Sequence, residues 1–500
     1  MSTAARPPAD RPNIVWLLTD HHVFAHHMSL PGPKPLLKSH DRIAADGVSF
    51  RQAHAVCPLC TPARASMLTG LYLHRHEMVM NNGDCGSRLD FEPDTKLFSY
   101  YLRQAGYRLG YFGKWHVGEQ RGCWDYDFEG WSMLGYGHAY WSDEYAEYLR
   151  QKNLPQAAAD VEWHFSEPSR TGRGILLKDE PDWGHRMESC GVLTTPAETH
   201  EAYFVADRAS RWLEQVAASG EPFCLRVDVW GPHQPYFVAE PFAGSIRPGE
   251  IPEYPNFSHA LADRPASHRR FRDARHKRAT VRTWAQWQPI VARSYEHATQ
   301  VDAALGQVLD ALQRLGLADN TLVFYTADHG DAIACQGGVF DKDSLMVEET
   351  VRIPLAVRWP GHTPRGAVSD HLVTHMDIVP TILAAAGAEM PEPMDGRSLL
   401  GLLADPAGAP WRRDLMCQHY GHGHPCFQRL CRHGAYKYVA HLDDMDELYD
   451  LARDPYELKN LAEEPAMRGL LADMQQRLAR WMDEHDDTGE DSARLRSEFV

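Results

Sequence analysis

No stretch of this chain approaches the ~20 consecutive apolar residues that a membrane-spanning helix requires. The first apolar run, Ile14 to Leu18, is far shorter and follows several prolines and Asp10. A secretory leader needs a longer apolar core and a small-residue cleavage site, so a cytoplasmic location and no membrane partner are expected. Positive charge is also scarce. Lys plus Arg number 51 against 68 Asp plus Glu, a net charge of −17. That balance makes attraction to phosphate backbones unfavourable over most of the surface, and nucleic acid is not an expected partner. The ten cysteines are scattered over 500 residues, without the dense spacing of a disulfide scaffold. Internal repeats and low-complexity tracts are absent as well.

What is present reads as an α/β protein. Short apolar runs bounded by polar, Gly or Pro residues predict buried strands at 13–20, 107–116, 222–233, 321–331 and 353–361. Between them, 94–106, 200–219 and 294–316 carry helical periodicity. Alternating strands and helices imply a large, mostly parallel sheet sandwiched by helices. Residues 120–195 are aromatic and Gly-rich, and read as an irregular insertion over the sheet edge. After residue 410 the pattern changes to that of a smaller antiparallel sheet plus a terminal helix. The expected division is a catalytic domain over 1–410 and a C-terminal α+β subdomain over 411–500. The segment 264–282 holds eight Lys/Arg and is expected to be a solvated helical face or a subunit contact, the latter consistent with a homo-oligomer.

Ligands of open α/β sheets bind at the carboxyl ends of strands. Four predicted strands end there in polar clusters: Asp20-His21, Lys114-Trp115-His116, His233, and Asp328-His329-Gly330-Asp331. One such cluster is ordinarily a cap or a turn; four at one end of one sheet supply carboxylates and an imidazole for a metal, with cations for an anionic substrate. Asp20, Asp328 and His329 are the candidate ligands of a divalent ion. Manganese, calcium, magnesium and zinc all accept such a set, and the imidazole shifts the balance away from the harder calcium and magnesium. The stretch CPLCTPARASMLTG, 57–70, contains a CxxC pair followed by a short predicted helix with Pro62 at its first position and Gly70 as its stop. Cys60 would then precede a helix N-terminus, where negative charge is favoured. Arg64 is a cation in the wrong turn for helix stability, which points to an anion nearby.

At the motif level, Cys60-Thr61-Pro62-Ala63-Arg64, with Thr69-Gly70 downstream, resembles the C-x-P-x-R signature of the formylglycine-dependent sulfatases of the alkaline-phosphatase superfamily. The resemblance continues through Gly113-Lys114-Trp115-His116, Pro232-His233, Asp328-His329-Gly330, Lys342, Arg358-Trp359-Pro360-Gly361 and Leu448-Tyr449-Asp450-Leu451. It implies that Cys60 is converted by a maturation enzyme to formylglycine, which serves as nucleophile and faces the metal. It also implies metal ligation by Asp20, Asp328 and His329, with manganese or calcium foremost. Arg64 and His116 would hold the hydrated aldehyde, Lys114 and Lys342 the substrate's anionic oxygens, and His233 would protonate the leaving group. Asn81 matches a substrate-contacting residue of the phosphonate monoester hydrolase and choline-sulfatase branch. Asp20-His21 stands where many sulfatases have two adjacent Asp, and Asp328-His329 where they often have Asp-Asn; the second pattern is similar to that same branch.

The implied activity is hydrolysis of an aryl or alkyl sulfate ester, a small anionic substrate. The alternative at the same site is a phosphonate monoester or phosphodiester hydrolase. A reading of another class, a CxxC redox or zinc module, leaves the four strand-end clusters unexplained; a binding protein that lacks the maturation step would be inert. Cys57 is expected only to pack. His419, His422 and His424 are expected to wall the pocket.

Overall fold

Residues 13–20, NIVWLLTD, form the strand Asn13–Asp20, and every one of its side chains is buried. Such a run is stable only inside a sheet covered on both faces, and that is its position. The eight-stranded sheet runs edge to edge as Ala367–Ser369, Val48–Phe50, Leu355–Arg358, Thr321–Ala327, Asn13–Asp20, Phe223–Pro232, Arg108–Lys114 and Glu129–Met133. Five of its seven pairings are parallel; Leu355–Arg358 runs against both neighbours. The structure is a computed structural model and describes residues 11–24, 30–166, 171–179 and 188–499.

Period-two alternation along Asn13–Asp20 divides the core. Val15 and Leu17 face a cluster completed by the helices Glu201–Ser219 and Trp284–Arg314. Ile14, Trp16 and Leu18 face the opposite cluster, built with Cys60–Thr69, Phe98–Gln104 and Ile378–Ala386. Each such aliphatic side chain contributes about 1.5–3 kcal/mol by leaving water. Register then aligns the functional ends. Thr19 pairs with Ala327 on one side, and Asp20 with Pro232 on the other, so Asp20, Asp328 and His233 emerge together.

The C-terminal sheet is antiparallel, in the order Asp414–Gly421, Pro425–His433, Tyr436–His441, Glu447–Asp450, and is followed by the helices Arg468–Glu484 and Glu490–Ser497. Met416, Tyr438 and Trp481 pack with Val56, Cys57 and Leu59, and Gln418 N–H donates to the Val56 carbonyl at 2.8 Å. The sheet therefore braces the turn that leads into Cys60.

Three local expectations need correction. The segment 120–195 is not irregular. It supplies the edge strand Glu129–Met133, the helix Asp143–Lys152, and three strands of a second four-stranded sheet completed by Tyr236–Val238; its aromatic and Gly content masks half-buried strands. The long helix begins at Trp284, ten residues before 294. Thr283 and Gln286 form a capping box upstream of Pro289, so the helix is already established where proline would otherwise stop it. The helix expected after Cys60 begins at Cys60 itself, which makes Pro62 its third residue.

The basic segment 264–282 contains the helix Ala266–Arg278, and Arg270, Lys277, Arg278 and Arg282 are exposed, the solvated face expected from the sequence. Other cations of the segment pair within the chain: Arg264 with Glu447 at 3.0 Å, and Arg275 with Glu188 at 2.7 Å and Asp341 at 2.8 Å.

Candidate active site

The strand ends converge on Arg64. Its guanidinium is fully buried and reaches three carboxylates: Nε to Asp328 at 2.9 Å, Nη2 to Asp20 at 3.0 Å and Nη1 to Asp228 at 3.2 Å. Nη1 also donates to the Lys114 carbonyl at 2.8 Å. Burial opposes its charge, but Asp328, Asp20 and Asp228 outweigh that and hold it well above its ordinary pKa. Asp228 is itself supported from below by Arg226 at 2.9 Å and the Tyr111 hydroxyl at 2.7 Å, and Arg226 stacks 4.4 Å over the Trp16 ring.

Around this hub stand the other residues named from the sequence. Asp20, Cys60, Asp328 and His329 present donor atoms within 4.8 Å of one another. Cys60 Sγ lies 3.1 Å from His329 Nε2. His329 Nδ1 donates to the Gly330 carbonyl at 2.8 Å; a carbonyl can only accept, so the proton is on Nδ1 and Nε2 is directed at the group. Two glycines allow the close packing here. A Cβ on Gly330 would sit 2.0 Å from the Glu349 carbonyl oxygen, and one on Gly113, at φ +114°, 1.8 Å from that of Asp228.

Lys114 pairs with Asp20 and lies 4.0 Å over the Tyr136 ring. Lys342 pairs with Asp341 at 3.2 Å. Thr61 ties two more positions to the helix start: its N–H donates to Asn81 Oδ1 at 3.0 Å and its hydroxyl to the His116 carbonyl at 2.8 Å. His233 Nδ1 donates to the Gln234 carbonyl at 2.7 Å, which leaves Nε2 for another partner.

The electrostatics follow from burial and these charges. Burial raises the Asp20 carboxyl, but Lys114 and Arg64 overcome it and hold the group well below the carboxylate range. The Cys60 thiol is likewise raised by burial and lowered further by Lys114 and Lys342, ending below its ordinary value. Cys57, three residues away, is pushed well above it by burial. Burial lowers His329, and Asp328 and the Cys60 sulfur more than offset it. Burial together with neighbouring cations depresses His116 and His233.

The donor set suits a divalent ion. Asp20 Oδ1 is buried without a hydrogen-bond partner, and two carboxylates, a sulfur position and an imidazole surround one point. His21, which the sequence showed only within its strand-end cluster, also belongs here. It adopts φ +58°, its ring lies 4.5 Å from that of His233 and 5.0 Å from that of His329, and neither ring nitrogen has a hydrogen-bond partner. Asp228 and Tyr136 were missed. Asp228 stands mid-strand, its signal the charged pair Arg226/Asp228 in an otherwise apolar run; Tyr136 was marked only by its flanking glycines. His419 does not face the centre as a wall: it lies 3.9 Å from Cys57 Sγ and bonds the Asp343 carbonyl at 2.9 Å. His424 sits 3.6 Å from Asp343 at the surface, and His422 lies beside Asp341 and Lys342. No disulfide is seen among the cysteines of the described residues.

The chain matches known families and proteins over most of its length. The model of the Sulfatase family matches residues 12–388, and that of the N-sulphoglucosamine sulphohydrolase C-terminal region matches 336–484. The chain is 28% identical over 498 residues to the uncharacterized sulfatase YidJ of Escherichia coli (strain K12), covering 95% of this chain and 87% of that protein. It is 26% identical to an N-acetylglucosamine-6-O-sulfatase of Bacteroides thetaiotaomicron, covering 92% and 85%. The phosphonate monoester hydrolase of Agrobacterium radiobacter shares the fold, with a TM-score of 0.74 at 21% identity over 95% of this chain and 96% of that one. With the family model matching residues 12–388, most of its length, the chain belongs to the sulfatase family.

Proposed function

We propose that this hydrolase cleaves a small aryl or alkyl sulfate ester, using a formylglycine made from Cys60 by a maturation enzyme. The observation that supports this most directly is the placement of Cys60 Sγ within the 4.8 Å donor group of Asp20, Asp328 and His329, with two lysines lowering its pKa. A divalent ion held by Asp20, Asp328, His329 and the residue-60 side chain would supply Lewis acidity toward the substrate's oxygens. The formyl group, as its hydrate, would supply a nucleophilic hydroxyl and a second hydroxyl to drive collapse of the covalent ester.

The remaining steps belong to the chain's own residues. Lys114 and Lys342 bind the anionic group and stabilise charge that builds on it, a contribution of several kcal/mol in a site that excludes water. Arg64, locked by three carboxylates, cannot move toward a substrate, so its part is to hold Asp20 and Asp328 in place. His116 and Asn81, both tied to Thr61, orient the residue-60 side chain. His233, with Nδ1 held by the Gln234 carbonyl, presents Nε2 to the leaving oxygen; it would deliver a proton there once the charge of the bound anion offsets the depression of its pKa and Nε2 takes up a proton.

The test compares kcat/KM for an aryl sulfate, an aryl phosphonate monoester and a phosphodiester, with mass spectrometry of the peptide containing residue 60. The expected result is preference for the sulfate and a formylglycine at 60. Preference for a phosphorus ester would replace this reading with the phosphonate monoester or phosphodiester hydrolase that the same centre can serve.

A further inference from the structure

Away from the active site, where the helix Ala266–Arg278 meets the C-terminal sheet, His268, His441 and Glu447 gather their donor atoms within 4.8 Å of one another. All three are buried, at 2%, 1% and 2% exposure. His441 Nε2 lies 2.8 Å and His268 Nε2 3.7 Å from the same oxygen, Glu447 Oε1. The other carboxylate oxygen is taken: Glu447 Oε2 accepts from Arg264 at 3.0 Å and from the Tyr449 hydroxyl. Glu447 is thus fixed with one oxygen presented to two imidazoles.

A buried ion pair between His441 and Glu447 accounts for only part of this arrangement. It leaves His268 with neither ring nitrogen hydrogen-bonded, although both are buried and an unsatisfied polar group there is costly. We propose that His268, His441 and Glu447 form a second, structural metal site for a zinc-class divalent ion, which pins the helix Ala266–Arg278 to the C-terminal sheet. Two imidazoles and one carboxylate are three of the ligands that zinc takes, with bonds of about 2.0–2.2 Å, and a water would complete the tetrahedron. The present donor spacings bracket the separation such bonds require, so His441 opens slightly and His268 closes.

The protonation states are compatible. Burial pushes His268 down to about 4, which keeps it neutral and able to ligate. His441 stands at about 10: burial lowers it, but Cys426 and Glu447 prevail; it gives up its Nε2 proton when a metal replaces the bond to Glu447. Arg264 and Tyr449, both on Glu447 Oε2, act as the outer shell that orients a ligating carboxylate. The same helix carries Arg275, which holds Asp341 beside Lys342, so the ion would steady the substrate-binding loop from outside.

The test is metal content and Co²⁺ spectroscopy on the full-length chain, stripped with a chelator and reloaded with Zn²⁺ or Co²⁺. His268→Gln and His441→Gln are each expected to bind one equivalent fewer than the wild type, whereas Asp328→Asn keeps that equivalent and shows the intense visible band of a tetrahedral Co²⁺ centre. Equal stoichiometry in the wild type and both histidine variants overturns the proposal, whatever the active site binds. If the histidine variants do not fold, Asp328→Asn decides alone: one tetrahedral Co²⁺ supports the site, and none removes it.

Discussion

Arg64 Nε and Asp328 Oδ2 stand 2.9 Å apart with neither side chain exposed to solvent. A buried guanidinium shared among three carboxylates is costly to form and costlier to break, because removing it leaves the anions uncompensated. Arg64→Leu is therefore expected to lose about 3–5 kcal/mol of stability, read as a lower urea midpoint. Arg64→Lys should lose much of the same, since one ammonium cannot span Asp20, Asp228, Asp328 and the Lys114 carbonyl. A loss below about 1 kcal/mol in Arg64→Leu, the range of exposed pairs, would show that the carboxylates are held by other means.

Cys57 and Cys60 should separate cleanly. Cys57 is buried in the cluster shared with the C-terminal sheet, so Cys57→Ala is expected to cost about 1 kcal/mol and leave kcat nearly unchanged. Cys60→Ala should abolish turnover at near-native stability. Activity surviving in Cys60→Ala but lost in Cys57→Ala would reverse the assignment.

His233→Gln tests proton delivery. General acids typically contribute 10²–10⁴-fold, and the need grows with the basicity of the leaving group. The expected loss is therefore large for alkyl sulfates and small for nitrophenyl sulfate. An equal loss on both substrates would place His233 in binding rather than proton transfer.

Stability should fall between about pH 7 and 5. Burial pushes His22, His76, His138, His297, His375 and His419 down to about 3, whereas an unfolded chain protonates histidine near pH 6.5. Below that pH the unfolded state binds the extra protons, so unfolding becomes easier. Asp302 and Asp331, pushed up by burial to about 6, and Glu201 and Glu457, to about 7, act in the opposite sense but are fewer. Urea midpoints at intervals across this range give the slope; a flat or inverted profile contradicts the balance.

Chelation should abolish turnover and lower the melting temperature, and added Mn²⁺ or Ca²⁺ should restore turnover and the active-site part of the thermal loss. At a hundred times Kd, a ligand that binds only the folded chain stabilises it by about 2.7 kcal/mol. Asp20→Asn should lose the part of that thermal response that Mn²⁺ or Ca²⁺ restores. A Mn²⁺ or Ca²⁺ response unchanged in Asp20→Asn would locate the catalytic ion elsewhere.

The strands that form the centre of the sheet were legible because they are buried on both faces and so read as apolar runs: residues 13–20 coincide with the observed strand. The clusters at their ends were legible because four of them fell at one end of one sheet, more than caps and turns account for. Asp228 was not, since a charge inside a strand gains its meaning only from Arg64, which is 164 residues away in sequence. His21 was half legible: its neighbour marked the place, but the left-handed backbone that turns its ring toward His233 has no signature of its own. The second sheet within 158–238 escaped because its strands are short, partly exposed and punctuated by glycine.

The distance in sequence between Cys60 and His329 also sets an order of events in time. The 269 residues between them take a ribosome roughly 13–54 s to add, and throughout that interval the CTPAR segment has no strand Thr321–Ala327 to close over it. Once the sheet is complete, residue 60 is 1% exposed. The proposed conversion thus belongs to the nascent chain, and folded protein carrying a plain thiol, incubated with the maturation enzyme, is expected to show that thiol unchanged by mass spectrometry.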